Sequence, residues 1–324
     1  MIGVYHTPMR TRFRGITARN GVILQRGSDA REFSPFAEYD DDYAARWLAA
    51  AVEDFHPRII RQTIPVNVTI PAVSATDAHQ LVHASGGCTT AKVKVGEPGQ
   101  KLGDDIARLE AVRDALGPGG HIRIDANTAW SVEQAVRILP QLDRAAGGLQ
   151  YAEQPVATTA QLAKLRRKVD IPLAADESIR RAADPLAVKR LDAADFAIIK
   201  VQPLGGIRAA TRIAEALGLP TVISSALESS VGLFRGVQLA ASLDDELVRA
   251  SSGEQLACGL ATVHLLERDV TTEPLVPTGG RLSVRAITPT RIEAPAAVSS
   301  WWLTRLTRVA QHAGIDLDPW RERP

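Results

Sequence analysis

Three acids and three lysines mark where this chain could do chemistry. Asp125, Glu153 and Asp176 each end or follow a short apolar run, 28 and 23 residues apart. Lys92 and Lys94 flank Val93, and Lys200 closes the run Phe196-Ala197-Ile198-Ile199. Three carboxylates with no histidine or cysteine among them suit a hard divalent cation that keeps open positions, Mg2+ first. The competing reading is that each acid caps the helix after its strand. A lysine withdrawn from water becomes a weaker acid-binder and moves toward the range of a general base. A cation that holds a substrate carboxylate, beside a lysine that removes the α-proton, defines carbon-acid chemistry through a stabilised enediolate.

Such groups must be brought together by their elements. From Ile64 onward, short apolar runs alternate with helix-period segments. The runs are 66–70, 91–95, 121–124, 149–152, 172–174, 196–201, 221–223 and about 256–263. Helical segments between them include 102–116, 132–142, 160–168, 207–217 and 230–241. Parallel β/α units follow from this alternation, and eight of them favour a closed (β/α)8 barrel over an open doubly wound sheet. No G-x-G-x-x-G follows the first run, which weakens a dinucleotide site. In a barrel, the acids and lysines would stand at the C-terminal strand ends, where active sites are built. Lys92 and Lys94 are two apart and share one strand face, while Val93 and Val95 take the other. The valines should meet the helices, leaving both lysines inside. Strands two and six lie opposite in a ring of eight, so Lys200 would face them.

The ends of the chain differ from the middle. Asn20-Gly21 between two loosely alternating apolar runs predicts a hairpin turn there, and 43–55 reads as an Ala-rich amphipathic helix. After about 271 the pattern is irregular, with one helix over 301–313.

Composition excludes several classes. In 324 residues, 38 basic and 37 acidic side chains leave a formal charge of +1, too little field to gather nucleic acid or an anionic membrane. No run approaches the 18–20 apolar residues needed for a membrane span. Two cysteines, Cys88 and Cys258, make neither a disulfide framework nor a four-cysteine zinc site. The opening residues have no signal-peptide pattern, so the expectation is a cytoplasmic protein acting on a small carboxylate, with a monomer allowed.

The set Lys92-Val93-Lys94, Ile124-Asp125-Ala126-Asn127, Glu153-Gln154-Pro155, Asp176-Glu177-Ser178 and Lys200 resembles the enolase superfamily, in its muconate-lactonising-enzyme-like subgroup. Within that subgroup it is similar to the o-succinylbenzoate synthase family of menaquinone biosynthesis, in its short actinobacterial form. Arg123, Trp130, the run Ser224 to Ser230, Glu32-Phe33-Ser34-Pro35-Phe36 and Gly259-Leu260 support this. Segment 8–14 departs from relatives in being short. The resemblance implies a barrel over 63–270 and an α+β cap formed by 1–62 and completed by 271–324. It implies Mg2+ on Asp125, Glu153 and Asp176, with Lys94 as base and then acid in a syn loss of water from 2-succinyl-6-hydroxy-2,4-cyclohexadiene-1-carboxylate. Lys200 would sit over the opposite ring face as a cation–π partner, and Lys92 would orient a carboxylate or lower the Lys94 pKa. Arg123, Ser224, Ser225 and Gly259 would contact substrate, and Asn127 and Glu228 would orient ligands. The nearest rival is an N-succinyl-amino-acid racemase or dipeptide epimerase, with Lys94 and Lys200 as acid and base. A Schiff-base aldolase fits Lys200 but not three acids, and a non-catalytic barrel would require a lost ligand or lysine.

Overall fold

The computed structural model describes residues 1–250 and 252–321. The chain opens with a three-stranded antiparallel sheet: β1 (Ile2–Phe13), β2 (Ile16–Arg26) and β3 (Asp29–Phe33). The first hairpin turns at Arg14-Gly15, where φ is +52° and +79°. Asn20-Gly21 is therefore not the turn; Asn20 pairs with His6 and Gly21 with Tyr5 in mid-strand. Gly21 is needed for packing, because a Cβ there would lie 2.6 Å from Ser34 Cβ and 2.8 Å from the Tyr5 ring. The turn signal was real but shared, since both dipeptides contain glycine and only one site has tertiary neighbours against it. Helix α1 (Asp41–Val52) is capped by Asp40, whose side chain accepts from Tyr43 N.

Strand β4 (Thr63–Pro65) leads into the barrel, whose strands are β5 (Val68–Ile70), β6 (Thr90–Lys94), β7 (His121–Asp125), β8 (Leu149–Glu153), β9 (Leu173–Ala175), β10 (Phe196–Ile199) and β11 (Thr221–Ile223). Strands β5 to β11 form one parallel seven-stranded ladder in chain order. Residues 256–259 close the ring without a regular strand. Cys258 bridges Val66 and Gly259 bridges Ser224, with Cys258 N donating to Pro65 O at 2.8 Å and Gly259 N to Ile223 O at 2.8 Å. The helices are α2 (Ala75–His83), α3 (Leu102–Leu116), α4 (Val132–Ala146), α5 (Thr159–Arg166), the short α6 (Glu177–Arg180) and α7 (Ala187–Arg190), α8 (Ile207–Leu217), α9 (Ser230–Ser242) and the short α10 (Asp245–Val248). Helix α2 has no counterpart in the sequence reading; its apolar face is short, Ala78 and Val82 alone being buried. Ser131 and Thr158, not the acids, cap α4 and α5 through boxes with Gln134 and Gln161. Gly147 and Gly218 end α4 and α8 in the left-handed region.

Side chains alternate across the barrel wall. Val93, Ile124, Ala152, Ala175, Ile199 and Ile223 belong to the large core under the helices. Tyr151, Ala174, Ile198, Val222 and Leu256 form a separate cluster, the floor of the barrel interior. Two residues further along each strand, at the C-terminal end, the interior positions carry Glu153, Asp176, Lys200 and Ser224.

The tail adds β12 (Arg281–Ser283), paired with β4, then α11 (Ala296–Ala313) and the short α12 (Asp318–Arg321). Helix α11 begins five residues before the expected start. It lies on the N-terminal unit, with Trp302 edge-on to Phe33 at 6.1 Å and Arg305 donating to Phe36 O and Tyr39 O. Residues 322–324 of the expected segment 271–324 lie outside the described residues. Among the described residues, no helix is long and apolar enough to cross a membrane.

Candidate active site

Adjacent parallel strands in register place the charged groups side by side. Lys94 pairs with Asp125 across β6 and β7, and Asp125 with Glu153 across β7 and β8. All are buried: Lys92 is 7% exposed, Lys94 9%, Lys200 8%, Asp125 2%, Glu153 1% and Asp176 0%. The isolated desolvation of such charges would be prohibitive, so each is paired. Lys92 Nζ lies 2.6 Å from Glu153 Oε1 and 2.9 Å from Asp125 Oδ2; Lys94 Nζ lies 2.6 Å from the same Asp125 oxygen. Lys200 Nζ lies 2.7 Å from Asp176 Oδ2, and Arg180 Nε donates to Asp176 Oδ1 at 3.0 Å. Among the described residues, no three acidic, histidine or cysteine side chains close directly on one point; the ammonium groups stand between the carboxylates.

The electrostatics follow from this crowding. Burial pushes the Glu153 carboxyl up to about 7, with Asp125 and Asp176 adding to the rise against Lys92. Burial alone would also raise Asp125 and Asp176, but the lysines outweigh it at Asp125, as Arg180 and Lys200 do at Asp176, and hold both well below the usual carboxylate range. Burial lowers the Lys94 amine; Asp125 opposes this, and the Lys92 charge adds to it. Lys92 is also pulled down by burial, yet Asp125 and Glu153 outweigh that and hold it high. The cluster thus holds one lysine above its ordinary range and the other below it.

The donor set fits a hard cation. Three carboxylates stand at the ends of three successive strands, and buried Glu153 Oε2 has no partner among the described residues. Lys92, Lys94, Asp125, Lys200, Ser224 and Gly259 all line an inner chamber of about 60 Å³, beside a cleft of about 1100 Å³ that Lys94 and Asn127 also line. Asn127 accepts from Lys94 Nζ through Oδ1 and donates to Glu177, and its own N–H donates to Asp125 Oδ1 at 3.0 Å. Ser225 shares the chamber wall, its hydroxyl 2.9 Å from that of Thr262. A Cβ at Gly259 would come within 2.5 Å of Ser224 Oγ, so a larger residue there would have to displace that hydroxyl.

One expected substrate contact is placed elsewhere. Arg123 is fully buried below the charged layer and is outside the chamber. Its Nε donates to Gln150, its Nη1 to Asn67 and to Ala257 O, and its guanidinium sits 4.9 Å over the Tyr151 ring. Glu228, expected to orient groups of the site without entering it, lies behind the wall, where its Oε2 accepts from Ala226 N at 2.6 Å. Other residues join the site unannounced. Gln154, with φ +38°, accepts from Asp176 N and Ser178 N and so fixes the turn that presents Asp176. Arg180 stands one helical turn after Asp176, a spacing that could have revealed it. Phe13 and Arg14, at the tip of the first hairpin, reach the chamber from the cap; only the tertiary fold brings them there.

Residues 74–289 match the enolase C-terminal domain-like family, and residues 4–54 match the enolase N-terminal domain-like family. The chain is 54% identical over 283 residues to the o-succinylbenzoate synthase of Thermobifida fusca, covering 86% of each chain. The chain belongs to the o-succinylbenzoate synthase family of the enolase superfamily. The o-succinylbenzoate synthase of Mycobacterium tuberculosis is 46% identical over 307 residues, 92% of this chain and 90% of that one. Enzymes of the superfamily depend on a divalent metal, which agrees with the oxygen-rich site. Solved structures share the fold at low identity. The L-Ala-D/L-Glu epimerase of Bacillus subtilis gives a TM-score of 0.73 at 22% identity, covering 89% of this chain and 96% of that one. The N-succinyl Arg/Lys racemase of Bacillus cereus gives 0.72 at 19%, covering 93% and 96%.

Proposed function

We propose that this protein is a hydro-lyase that converts 2-succinyl-6-hydroxy-2,4-cyclohexadiene-1-carboxylate to 2-succinylbenzoate and water, a step of menaquinone biosynthesis. The observation that carries the reading is Lys94 beside Asp125, with Lys200 beside Asp176 in the same chamber, in a chain 54% identical to a synthase. Asp125, Glu153 and Asp176 would hold Mg2+, which when bound would supply positive charge for the oxygens of the substrate carboxylate. Lys94, with its amine lowered by burial and by Lys92, takes the proton α to that carboxylate. The C–H electron pair moves into the ring system as negative charge develops on the carboxylate oxygens. Lys94, now an ammonium, returns the same proton to the departing hydroxyl; the C–O bond breaks, water leaves and the ring becomes aromatic. One group serving both steps requires loss of proton and hydroxyl from one face. Lys200 faces the ring from the other side as a cation. Lys92 stays charged and fixes Asp125 and Glu153. The substrate is a small dicarboxylate, and a cytoplasmic setting is supported by two buried free thiols, Cys88 and Cys258.

A paired assay tests the reading. The cyclohexadiene substrate is followed by absorbance and N-succinyl amino acids by polarimetry, with EDTA and added Mg2+ in both. Dehydration that EDTA stops and Mg2+ restores is the expected result. Racemisation without dehydration would transfer the protein to the racemase reading, and activity indifferent to chelator would remove the metal.

A further inference from the structure

Arg19 lies on β2 in the N-terminal unit, 2% exposed and absent from the walls of the chamber. Its guanidinium reaches across to the loop after β11. Nε donates to Leu227 O at 2.9 Å and Nη2 to Ala226 O at 3.3 Å, while Nη2 also donates to Ser34 O and to Ser34 Oγ at 3.1 Å. The guanidinium packs 4.5 Å over the Phe36 ring. Leu227 has φ +62°, in the left-handed region that L-residues rarely adopt. Ser224, Ser225, Ala226 and Leu227 form one wall of the chamber that holds Lys92, Lys94 and Lys200. The other side of the loop is held as well. Glu228 accepts from Ala226 N, and Glu32 accepts from Ser229 N and Gly232 N, each at 3.1 Å. Carbonyls and amides of one short segment are thus taken by opposite charges, and Arg19 and Glu32 come from the cap.

We infer that Arg19 is a positioning residue: it holds Ala226 and Leu227 in a strained turn, so that the cap sets the shape of the chamber wall without touching substrate. The inference rests on the proposed dehydration at this site. A strained turn without its clasp relaxes toward ordinary backbone angles, which withdraws the wall from a bound ring while leaving the lysines and acids in place. The effect belongs in substrate binding and not in the proton-transfer step.

The test is a double-mutant cycle on the metal-loaded enzyme, with Arg19→Lys and Leu227→Asn. Lysine keeps the charge and loses the fork; asparagine tolerates the left-handed region. Arg19→Lys is expected to raise KM about tenfold with kcat changed less than about threefold. In the Leu227→Asn background the same change should raise KM less than about threefold, because the turn no longer needs holding. An unchanged KM in Arg19→Lys, or the same factor in both backgrounds, overturns the inference; the latter is what a purely structural arginine gives. If Arg19→Lys does not fold, Ser34→Ala removes one acceptor of the guanidinium and should raise KM about two- to fourfold, again only with Leu at 227. Wild-type protein inactive in dehydration would sink the functional reading instead and is scored before the cycle begins.

Discussion

At the scale of single residues, the site works by unequal treatment of like groups. Lys92 and Lys94 sit two positions apart on one strand, yet Lys92 is shared between two carboxylates and Lys94 is bonded to Asp125 alone among the acids. Burial pulls on both amines, and that difference leaves Lys94 the one that ends below its ordinary range. Replacing Lys94 or Lys200 by Ala is expected to cut dehydration at least about 10²-fold with the circular dichroism spectrum unchanged; full activity in either variant would refute the mechanism. Glu228 makes a separate prediction. Burial and the nearby Glu32 push its carboxyl from 4.5 up to about 7. Between those values the folded chain holds a proton the unfolded chain has lost. The group therefore favours the fold at low pH and opposes it increasingly as pH rises toward 7. Glu228→Gln should match wild type in thermal stability near pH 4 and exceed it near pH 8, by up to roughly 3 kcal/mol. Melting curves at both pH values check this, and a gap independent of pH would show that Glu228 does not titrate as argued.

At the scale of elements, two close approaches decide what sequence signals alone could not. Asn20-Gly21 has the composition of a turn but lies in mid-strand, because β2 must run close under Ser34 and Tyr5. Gly21→Ala is expected to destabilise by about 1–3 kcal/mol through overpacking, read as a lower urea midpoint with unchanged slope; a neutral substitution would mean that Ser34 and Tyr5 yield freely. The segment 256–259 closes the barrel by single bridges rather than a full strand. Its apolar run resembled the other seven, yet it contributes Gly259, and through it the room for Ser224, rather than a regular ladder.

At the scale of the whole molecule, the two ends of the chain build one layer over the mouth of the barrel. Helix α11 from the tail packs on α1 and β1, and Trp302 meets Phe33 on the strand that carries Glu32. Trp302→Ala is expected to cost about 3–5 kcal/mol and to lower the unfolding midpoint by fluorescence and circular dichroism together; separate transitions by the two probes would show that cap and barrel unfold independently. The β/α alternation, the charged strand ends and the long helices 102–116 and 207–217 are legible in the sequence, because they depend on local periodicity and on the fixed direction of parallel strands. The placing of Asp125, Glu153 and Asp176 at the ends of neighbouring strands follows from the same regularity, but the expected convergence of their oxygens does not, because Lys92 and Lys200 stand against them. Arg123 could not be placed that way: an interior position near a strand end looks the same from the sequence whether it opens on the chamber or the floor. Arg180 and Gln154 act locally, on Asp176 and on the turn that presents it, whereas Arg19, Phe13 and Arg14 reach the barrel from the cap. Their roles depend on contacts between segments up to some two hundred residues apart, as in Arg19 to Leu227, and such contacts exist only once cap and barrel have packed together.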